Sequence, residues 1–383
     1  MVPKLRFKEF CGEWEEKRLG DIADVLSGKR IPKGMSLSTV DTGIKYITVS
    51  DMGEKYINNE NIKYISEDIE EKIKKYKVSE NDIIISVAGT LGKINIVTKD
   101  FQNANLTENC DKITNLKGIK HKYLYMYLNS SYIQGQINSI YTVSSQPKLA
   151  LTRIRDFIIN TPSLVEQTKI ADFLSTVDDK IQNQQDKITH LENIKKGFMQ
   201  KIFSRKIRFK DDGGEEFPEW EEKKLVDCCK YQSSSISTSM ISNSGEYQLF
   251  DVNGKIGYTN KFCDKKYISI IKDGAGVGRI RILPKNSFCI STMGIITSNK
   301  QTIIEYLYYS MSQIEFKKYV VGAAIPHIYF KDYRNEKIEV PCLKEQTKIA
   351  DFLSSFDEKI SIEKETLEHL KQLKKGLLQQ MFV

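Results

Sequence analysis

Two glycine-rich stretches come closest, in residue type and spacing, to a chemical site. One is GAGVGR at residues 274–279, and the other is GTLGK at residues 89–93. Such a loop binds a dinucleotide phosphate when a strand precedes it and a helix follows it. The stretch after Gly278, RIRILP, has strand composition, so the pattern favours a hairpin turn. At these turns, backbone amides with Lys93 or Arg279 could still bind a phosphate, and a plain hairpin turn remains the alternative.

Signatures of catalysis are absent or incomplete in the sequence. The E-x-K pattern of some nucleases occurs at residues 15–17 and 221–223, but the metal-binding Asp that it requires is not evident. Asp211 and Asp212, the nearby acids, lie in a Gly-rich linker. Walker A, H-E-x-x-H and G-x-S-x-G motifs are missing, and so is an N-P-P-Y type motif of base methylation. We therefore expect a non-catalytic chain.

Histidine and cysteine usage argues against a metal site. His121, His190, His327 and His369 are isolated, and the seven cysteines include no C-x-x-C pair. A zinc site is not expected, and the cysteines are interpreted as reduced and mostly structural. The sequence shows neither a secretory signal nor an apolar run of the roughly 20 residues that a membrane helix needs. We expect a cytoplasmic protein.

An internal repeat organises the whole chain. The motif EQTKIADFL occurs at residues 166–174 and again at 345–353, and at this offset of 179 residues 22 of 43 positions match from Pro162 to Ser204. The openings LRFK and EWEEKRL recur as IRFK and EWEEKKL, and they hold both tryptophans. The repeating unit is therefore a domain followed by a helix. The predicted boundaries are a first domain at 1–161, a helix at 162–204, a second domain at 205–340 and a helix at 341–383.

Both domains have the composition of a mixed α+β fold in which strands dominate. Runs rich in β-branched residues predict strands at 44–49, 82–87 and 93–97, with counterparts at 247–252, 267–271 and 279–283. A Tyr- and Leu-rich helix at 122–129 or 305–312 and a final strand complete each domain. The net charge of +8 lies entirely in the two domains, +4 in each, because both repeats are charge-balanced. A modest basic excess suits a polyanion-binding surface but is common in ordinary proteins.

Each repeat predicts one long helix that pairs with the other. Apolar residues recur at alternating spacings of three and four, which is the pattern of a coiled-coil seam. Two polar exceptions fall at the same places in both copies, Gln184 and Lys195 in one and Glu363 and Lys374 in the other. About 38 helical residues would span on the order of 57 Å. A helix packed only on its own domain is the alternative. The predicted seam residues are Leu174, Val177, Ile181, Ile188, Leu191, Phe198, Leu353, Phe356, Ile360, Leu367, Leu370 and Leu377.

Over its full length the chain resembles the specificity subunit of type I restriction-modification systems. The resemblance lies in the EQTKIADFL helices ending in IKKGFMQKIF and LKKGLLQQMF, the EWEEK domain openings, and the QPKL and IPHI loops before the last strands. It implies two target-recognition domains, each reading one half of an asymmetric bipartite DNA site, separated by two antiparallel coiled-coil helices. These helices would set the spacing and dock two methyltransferase subunits, which restriction subunits join. S-adenosylmethionine, ATP and Mg would belong to those partners, with no cofactor in this chain.

Candidate DNA contacts are taken from predicted loops, where Gln and Arg can read base edges and Lys mainly contacts phosphate. A two-headed coiled-coil adaptor that does not bind DNA is the rival interpretation from another class, and a fused nuclease is disfavoured by the missing site. The candidates are Lys29, Arg30, Lys33, Thr90, Lys93, Ser145, Gln146 and Lys148 in the first domain, and Lys255, Tyr258, Lys272, Arg279 and His327 in the second.

Overall fold

The computed structural model describes residues 2–140, 147–237 and 241–382. The chain divides into two compact units, one made of Met1–Gln185 with Glu365–Val383 and the other of Asp186–Lys364. The central helix (Leu164–Phe203) and the C-terminal helix (Leu343–Met381) each contribute residues to both units. We call the strand-rich part of the first unit head 1 and that of the second unit head 2.

Head 1 contains a four-stranded antiparallel sheet, a three-stranded mixed sheet and a two-stranded ribbon. Their strand orders are β2-β8-β5-β6, β4-β3-β7 and β1-β9. The strands are β1 Glu15–Arg18, β2 Asp24–Ser27, β3 Lys45–Ile47, β4 Lys63–Tyr64, β5 Ile83–Ser86, β6 Ile94–Ile96, β7 Asn105–Leu106, β8 Cys110–Thr114 and β9 Ile158–Thr161. The short α-helices are Leu19–Ile22, Glu67–Ile73, His121–Leu128, Ser131–Asn138 and Leu151–Arg155.

Head 2 repeats this topology with different side chains. Its sheets have the orders β11-β17-β14-β15, β13-β12-β16 and β10-β18. The strands are β10 Glu221–Lys224, β11 Cys229–Ser233, β12 Tyr247–Phe250, β13 Lys255–Thr259, β14 Tyr267–Ile271, β15 Ile280–Leu283, β16 Ser287–Cys289, β17 Met293–Ser298 and β18 Lys337–Val340. The short α-helices are Leu225–Cys228, Ile304–Met311 and Phe330–Tyr333.

The central strand of each larger sheet is buried on both faces, which explains its unbroken apolar sequence. In β5, Ile83 and Ile85 pack into the cluster that contains Trp14 and Tyr123, whereas Ile84 packs into a separate cluster on the other face. The same alternation occurs in β14. The strand-rich α+β fold, its internal repeat and the packing of two long helices confirm the fold class predicted from the sequence.

Within each unit, the beginning of one long helix packs with the end of the other. In the first unit, Ile170 and Leu174 of the central helix share a core with Leu378 and Phe382. In the second, Leu353 of the C-terminal helix packs with residues near the end of the central helix. The two helices therefore run antiparallel. The twelve predicted seam side chains are all buried or half-buried.

Three of the four polar exceptions in the seam form ion pairs. Lys374 Nζ lies 2.7 Å from Asp178 Oδ1 in the first unit. Lys195 Nζ lies 2.5 Å from Asp357 Oδ1 in the second, where Glu363 also pairs with Lys187 at 2.6 Å. Because Asp178 and Asp357 occupy the same position of the repeat, the matched lysines make equivalent interhelical contacts.

The first residue of the EQTKIADFL motif anchors each long helix to its head. Glu166 is almost fully buried and accepts hydrogen bonds from Arg6 Nε at 2.7 Å and Arg6 Nη2 at 2.9 Å. The Trp14 indole N–H also donates to it, at 3.3 Å. Glu345 repeats this arrangement with Arg208 and Trp220. The recurring Arg, Trp and Glu thus form one buried network in each unit.

The second residue of the motif continues the same anchor. Gln167 Oε1 accepts the backbone N–H of Lys120 at 2.9 Å, and its amide donates to the Pro162 carbonyl at 2.9 Å. Gln346 makes the equivalent bonds to Ile303 N and to the Pro341 carbonyl, both at 2.8 Å. A glutamine suits this position because its amide both donates and accepts.

Candidate nucleic-acid interface

The loops that carry most of the candidates in head 1 leave one edge of its larger sheet. Strands β2 and β5 both run antiparallel to β8, so their carboxyl ends lie at the same edge. The loop after β2 holds residues 28–33, and the turn after β5 holds residues 89–93. The antiparallel topology therefore brings together two segments that are some 60 residues apart in sequence.

The turn at residues 89–93 is a tight hairpin built on Ser86. The Ser86 hydroxyl donates to the Thr90 carbonyl at 2.5 Å and accepts the Lys93 N–H at 2.9 Å. Gly89 and Gly92 have φ of 75° and 74°, and a Cβ at Gly92 would lie 2.9 Å from a methyl group of Ile137. Glycine is therefore required there both by the backbone and by packing. Thr90 is exposed, and Lys93 is half-buried beside it.

The QPKL loop joins this turn through the backbone. Ala88 and Lys148 form an isolated β-bridge, and Leu149 N donates to the Val87 carbonyl at 3.0 Å. The exposed side chain of Lys148 is thereby fixed beside residues 89–93. Ser145 and Gln146, the two other candidates in this loop, lie outside the described residues.

The three candidates after β2 are exposed, but they differ in their partners. Lys29 N donates to the Leu106 carbonyl at 2.7 Å, which ties the loop to β7, and Lys33 faces solvent. Arg30 forms an ion pair with Glu108, which lies two residues before the start of β8. Burial opposes ionisation of Glu108, yet hydrogen bonds from Arg30 and from its own backbone leave its pKa below the ordinary value. Arg30 is therefore partly neutralised.

Head 2 places Lys272, Arg279 and His327 at the equivalent edge. The GAGVGR stretch is the hairpin turn between β14 and β15, as predicted. An isolated bridge joins Asp273 to His327, and Gly274 N donates to the Pro326 carbonyl at 2.8 Å. These bonds match the Ala88–Lys148 contact of head 1. Lys148 and His327 consequently occupy equivalent backbone positions, one with an ammonium group and the other with an imidazole.

Lys255 and Tyr258 belong to strand β13 of the three-stranded sheet, which corrects their prediction as loop residues. The chain resumes an extended conformation at Lys255 because Asp251 and Gly254 close a tight turn just before it, with Asp251 N donating to the Gly254 carbonyl at 2.8 Å. Lys255 Nζ donates to the Tyr258 hydroxyl at 2.8 Å. These two residues form a separate pair of candidates.

Two further residues at the head 2 edge, the aromatic Tyr329 and the cationic Lys331, were not among the candidates predicted from the sequence. Tyr329 is half exposed, its ring centroid lies 5.0 Å from that of His327, and Lys331 Nζ lies 5.2 Å from the Tyr329 ring. An exposed aromatic ring beside cations can stack on a base or a sugar. The sequence signal was the YFK that follows IPHI, but a Tyr there also suits a strand or a core.

Asp111 is buried at the edge of the head 1 sheet, where β8 pairs with Ser27 of β2. Burial raises its pKa to about 6, although a hydrogen bond with Ser27 and the charges of Lys148 and Arg155 act in the opposite direction. The folded state therefore holds a proton on Asp111 at pH values where the unfolded chain has released it. Stability is lost as the pH rises from about 4 to about 6, and the loss is complete above that interval.

Replacing Asp111 with Asn should remove this pH dependence. The Asn side chain is neutral throughout, so we expect Asp111→Asn to match the wild type near pH 4 and to exceed it at pH 7.5, by on the order of 2 kcal/mol of unfolding free energy. Urea denaturation at both pH values measures the difference. A variant that is no more stable than the wild type at pH 7.5 would show that Asp111 is ionised at little cost.

Among residues 2–140, 147–237 and 241–382, no group of three His, Cys, Asp or Glu side chains could hold a metal ion. In the same part of the chain, no helix is both long and apolar enough to cross a membrane.

Two similar heads, each anchored to the paired long helices, define a chain with an internal structural repeat and cationic residues at equivalent loop edges. The family model of the type I restriction modification DNA specificity domain matches residues 12–193 and again residues 218–372, and the chain belongs to this family. The resemblance inferred from the repeated motifs is thereby confirmed, and the chain has the role of a DNA specificity subunit.

Individual relatives align with this chain over nearly its whole length. The type I restriction enzyme MjaIX specificity subunit of Methanocaldococcus jannaschii is 23% identical, with 96% of this chain and 92% of the relative covered. The solved S subunit of a type I restriction-modification system from M. genitalium has a TM-score of 0.60 at 18% identity, covering 100% of this chain and 99% of its own. A structure described under complex assembly and conformational transition of the type I R-M system has a TM-score of 0.56 at 16% identity, covering 97% and 98%.

Proposed function

We propose that each head reads one half of an asymmetric, two-part sequence in double-stranded DNA. The observation that carries this proposal is the pair of equivalent sheet edges with different side chains. Head 1 presents Thr90, Lys93 and Lys148, whereas head 2 presents Arg279 and His327 in the matching places. A reader with two identical heads suits a palindrome, and two different edges suit two different half-sites.

We further propose that the two long helices set the distance between the half-sites and dock two methyltransferase subunits. Apolar side chains remain exposed along them, with relative exposures of 70% for Val165, 60% for Ile362 and 54% for Leu373. Exposed apolar residues on otherwise charged helices suit a protein interface. Restriction subunits would join this complex to complete the nuclease.

The chemistry of modification and cleavage is assigned to those partners. S-adenosylmethionine would be bound by the methyltransferase subunits, ATP and Mg would be used elsewhere in the complex, and this chain would act without catalysis in the cytoplasm. Flipping the target base out of the duplex would also be the work of the methyltransferase. This chain would contribute the choice of sequence, the spacing of the half-sites and the docking of those partners.

The rival function is a two-headed adaptor that binds protein instead of DNA. Co-purification with a methyltransferase subunit, followed by binding of the complex to random duplexes at several salt concentrations, separates the two. A DNA reader loses affinity steeply as salt rises, because phosphate binding releases counterions. DNA binding that is absent or insensitive to salt would exclude the proposed function.

Lys93→Ala should weaken DNA binding to all sequences alike. Lys93 stands at the turn beside Thr90, where its ammonium group would contact a phosphate and carry no base information. We expect the slope of log K against log salt to fall by about 1 while the preferred sequence is unchanged. Lys17→Ala, which removes a lysine that forms an ion pair with Glu15 on the same strand, β1, serves as the control. An unchanged slope for Lys93→Ala would remove this residue from the interface.

A further inference from the structure

Head 1 extends a short arm, residues 52–57, from the connection between β3 and β4. The arm is closed by a Met52–Ile57 bridge and by a hydrogen bond from Gly53 N to the Tyr56 carbonyl at 3.0 Å. Its backbone is held to the head as well. Ile96 N donates to the Lys55 carbonyl at 3.0 Å, and the Tyr125 hydroxyl donates to the Glu54 carbonyl at 3.3 Å. The arm therefore moves with head 1.

The arm places charged side chains against both long helices. Lys55 Nζ lies 3.3 Å from Asp178 Oδ2 on the central helix, and the other oxygen of Asp178 is held by Lys374 of the C-terminal helix. Glu54 reaches Lys371 more loosely, at 3.9 Å and in solvent. The three charges of Lys55, Asp178 and Lys374, which we call the triad, thus connect the head to the two helices.

The triad is held by charge more than by packing. The side chain of Asp178 is only 10% exposed, and within the described chain neither oxygen accepts a hydrogen bond of regular geometry. Two ammonium groups are therefore its main stabilisation, and a buried carboxylate without them is costly. A cavity of about 820 Å³, lined by Tyr56, Tyr125 and Gln182 among others, lies beside the triad. The tip of the arm thus contacts the helices through charges, whereas both ends of the arm pack into the core of head 1.

Among the described residues, the equivalent position in the second unit has no ion pair between head and helix. Asp357 and Lys195 occupy the places of Asp178 and Lys374, but Asp357 is 45% exposed. It accepts a hydrogen bond from the Tyr309 hydroxyl at 2.6 Å, so its head contact is a neutral group on a helix. Head 2 joins β12 to β13 by the four residues 251–254, where head 1 has residues 48–62 between β3 and β4. In the part of the chain that the structure describes, this connection carries an arm in head 1 and a short turn in head 2.

We propose that the triad fixes the orientation of head 1 on the helix pair and thereby sets which spacer length between the two half-sites is accepted. This inference rests on the proposed bipartite reading. One base pair changes the separation of two half-sites by about 3.4 Å and rotates one against the other by roughly 35°. A head whose Lys55 is held at 3.3 Å by a carboxylate that Lys374 fixes at 2.7 Å from the other helix discriminates such a step, whereas a head that rocks on its anchor does not. Asp178 is a positioning residue, and the bases are read elsewhere.

The test is a selection from randomised duplex DNA, using the full chain in complex with its methyltransferase subunits and sequencing the bound fraction. The wild type should yield two half-sites at one separation. Asp178→Asn should yield the same half-sites, with discrimination against a spacer one base pair longer or shorter reduced by about tenfold. Lys55→Ala should show the same loss of discrimination between spacer lengths. Lys55→Arg keeps a cation opposite Asp178 and should select the single separation of the wild type.

Asp357→Asn is the matched control, because it makes the same change at the same position of the other repeat. Tyr309 can still donate to the Asn oxygen, so we expect one separation, as in the wild type. If Asp178→Asn and Lys55→Ala both keep the wild-type separation, or if they change the half-site bases, the inference is overturned. Should Asp178→Asn not fold, Lys55→Ala decides alone. A wild-type complex that selects no two-part site would instead refute the proposed function.

Discussion

Replacing Glu166 with Ala is expected to lower the unfolding free energy of the first unit by about 3–5 kcal/mol. Glu166 is 2% exposed and is the shared acceptor for Arg6 and Trp14. Its removal leaves the Arg6 guanidinium, itself only 12% exposed, without a counter-charge inside the head. The free-energy cost of leaving a buried cation unpaired is far larger than the net stabilisation that the intact ion pair provides. A single truncation therefore has a large effect on stability.

The two tryptophans allow this effect to be measured in one unit. A Trp220→Phe background leaves Trp14 as the reporter of the first unit, and urea denaturation followed by its fluorescence gives the midpoint. Glu9→Ala is the matched control, because Glu9 pairs with Lys169 of the same helix but both side chains are nearly half exposed. Exposed pairs contribute about 0–1 kcal/mol. Similar midpoints for the two variants would mean that the Arg6–Glu166 pair does not anchor the helix.

The long helices were predictable from sequence because their signal is local and repeated. Periodic apolar residues after Pro162 and Pro341 predicted helices that begin at Leu164 and Leu343 in the structure. The burial of Glu166, the first residue of the EQTKIADFL motif, was not predictable from the sequence. A glutamate in the first helical turn is ordinarily a solvated group that favours the helix dipole. Its partner Arg6 lies 160 residues away, and a local pattern contains no information about that contact.

The candidate interface was predictable in part for the same reason. Gly89 and Gly92 between two β-branched runs predicted the hairpin turn, since positive φ at these positions suits glycine. The bridge between Ala88 and Lys148 joins residues 60 positions apart, and only the equal offset of Pro147 and Pro326 hinted at it. The arm at residues 52–57 carries no motif, so its contact with Asp178 required the structure.

The division of labour within the chain follows from where the repeats differ. Residues that anchor helix to head, such as Glu166 and Glu345, keep both their identity and their contacts in the two units. Residues at the sheet edges keep their backbone geometry while their side chains diverge, as at Lys148 and His327. A scaffold under one set of packing constraints thus presents two different surfaces.

Phe382→Ala is expected to destabilise the first unit by about 3–5 kcal/mol, the usual range for truncating a buried Phe. Phe382 is 4% exposed, and its ring centroid lies 5.6 Å from that of Tyr123 and 5.3 Å from that of Tyr127. Both tyrosines are fully buried, and their hydroxyl groups are bonded within the head. The surrounding rings therefore cannot move to fill the space that the missing ring leaves, and a cavity remains.

Phe203→Ala makes the same change at the same position of the first repeat and provides the control. Phe203 packs against Trp220 and Tyr306 of the second unit, with ring centroids 6.4 and 5.9 Å away. Phe382→Ala should lower the urea midpoint reported by Trp14 fluorescence more than the midpoint reported by Trp220. Phe203→Ala should lower the midpoint reported by Trp220 more than the one reported by Trp14. Phe382→Leu, which keeps most of the apolar volume, should cost about 1 kcal/mol. If Phe382→Ala lowered the unfolding free energy by less than about 1 kcal/mol, the end of each long helix would not complete the core of a head.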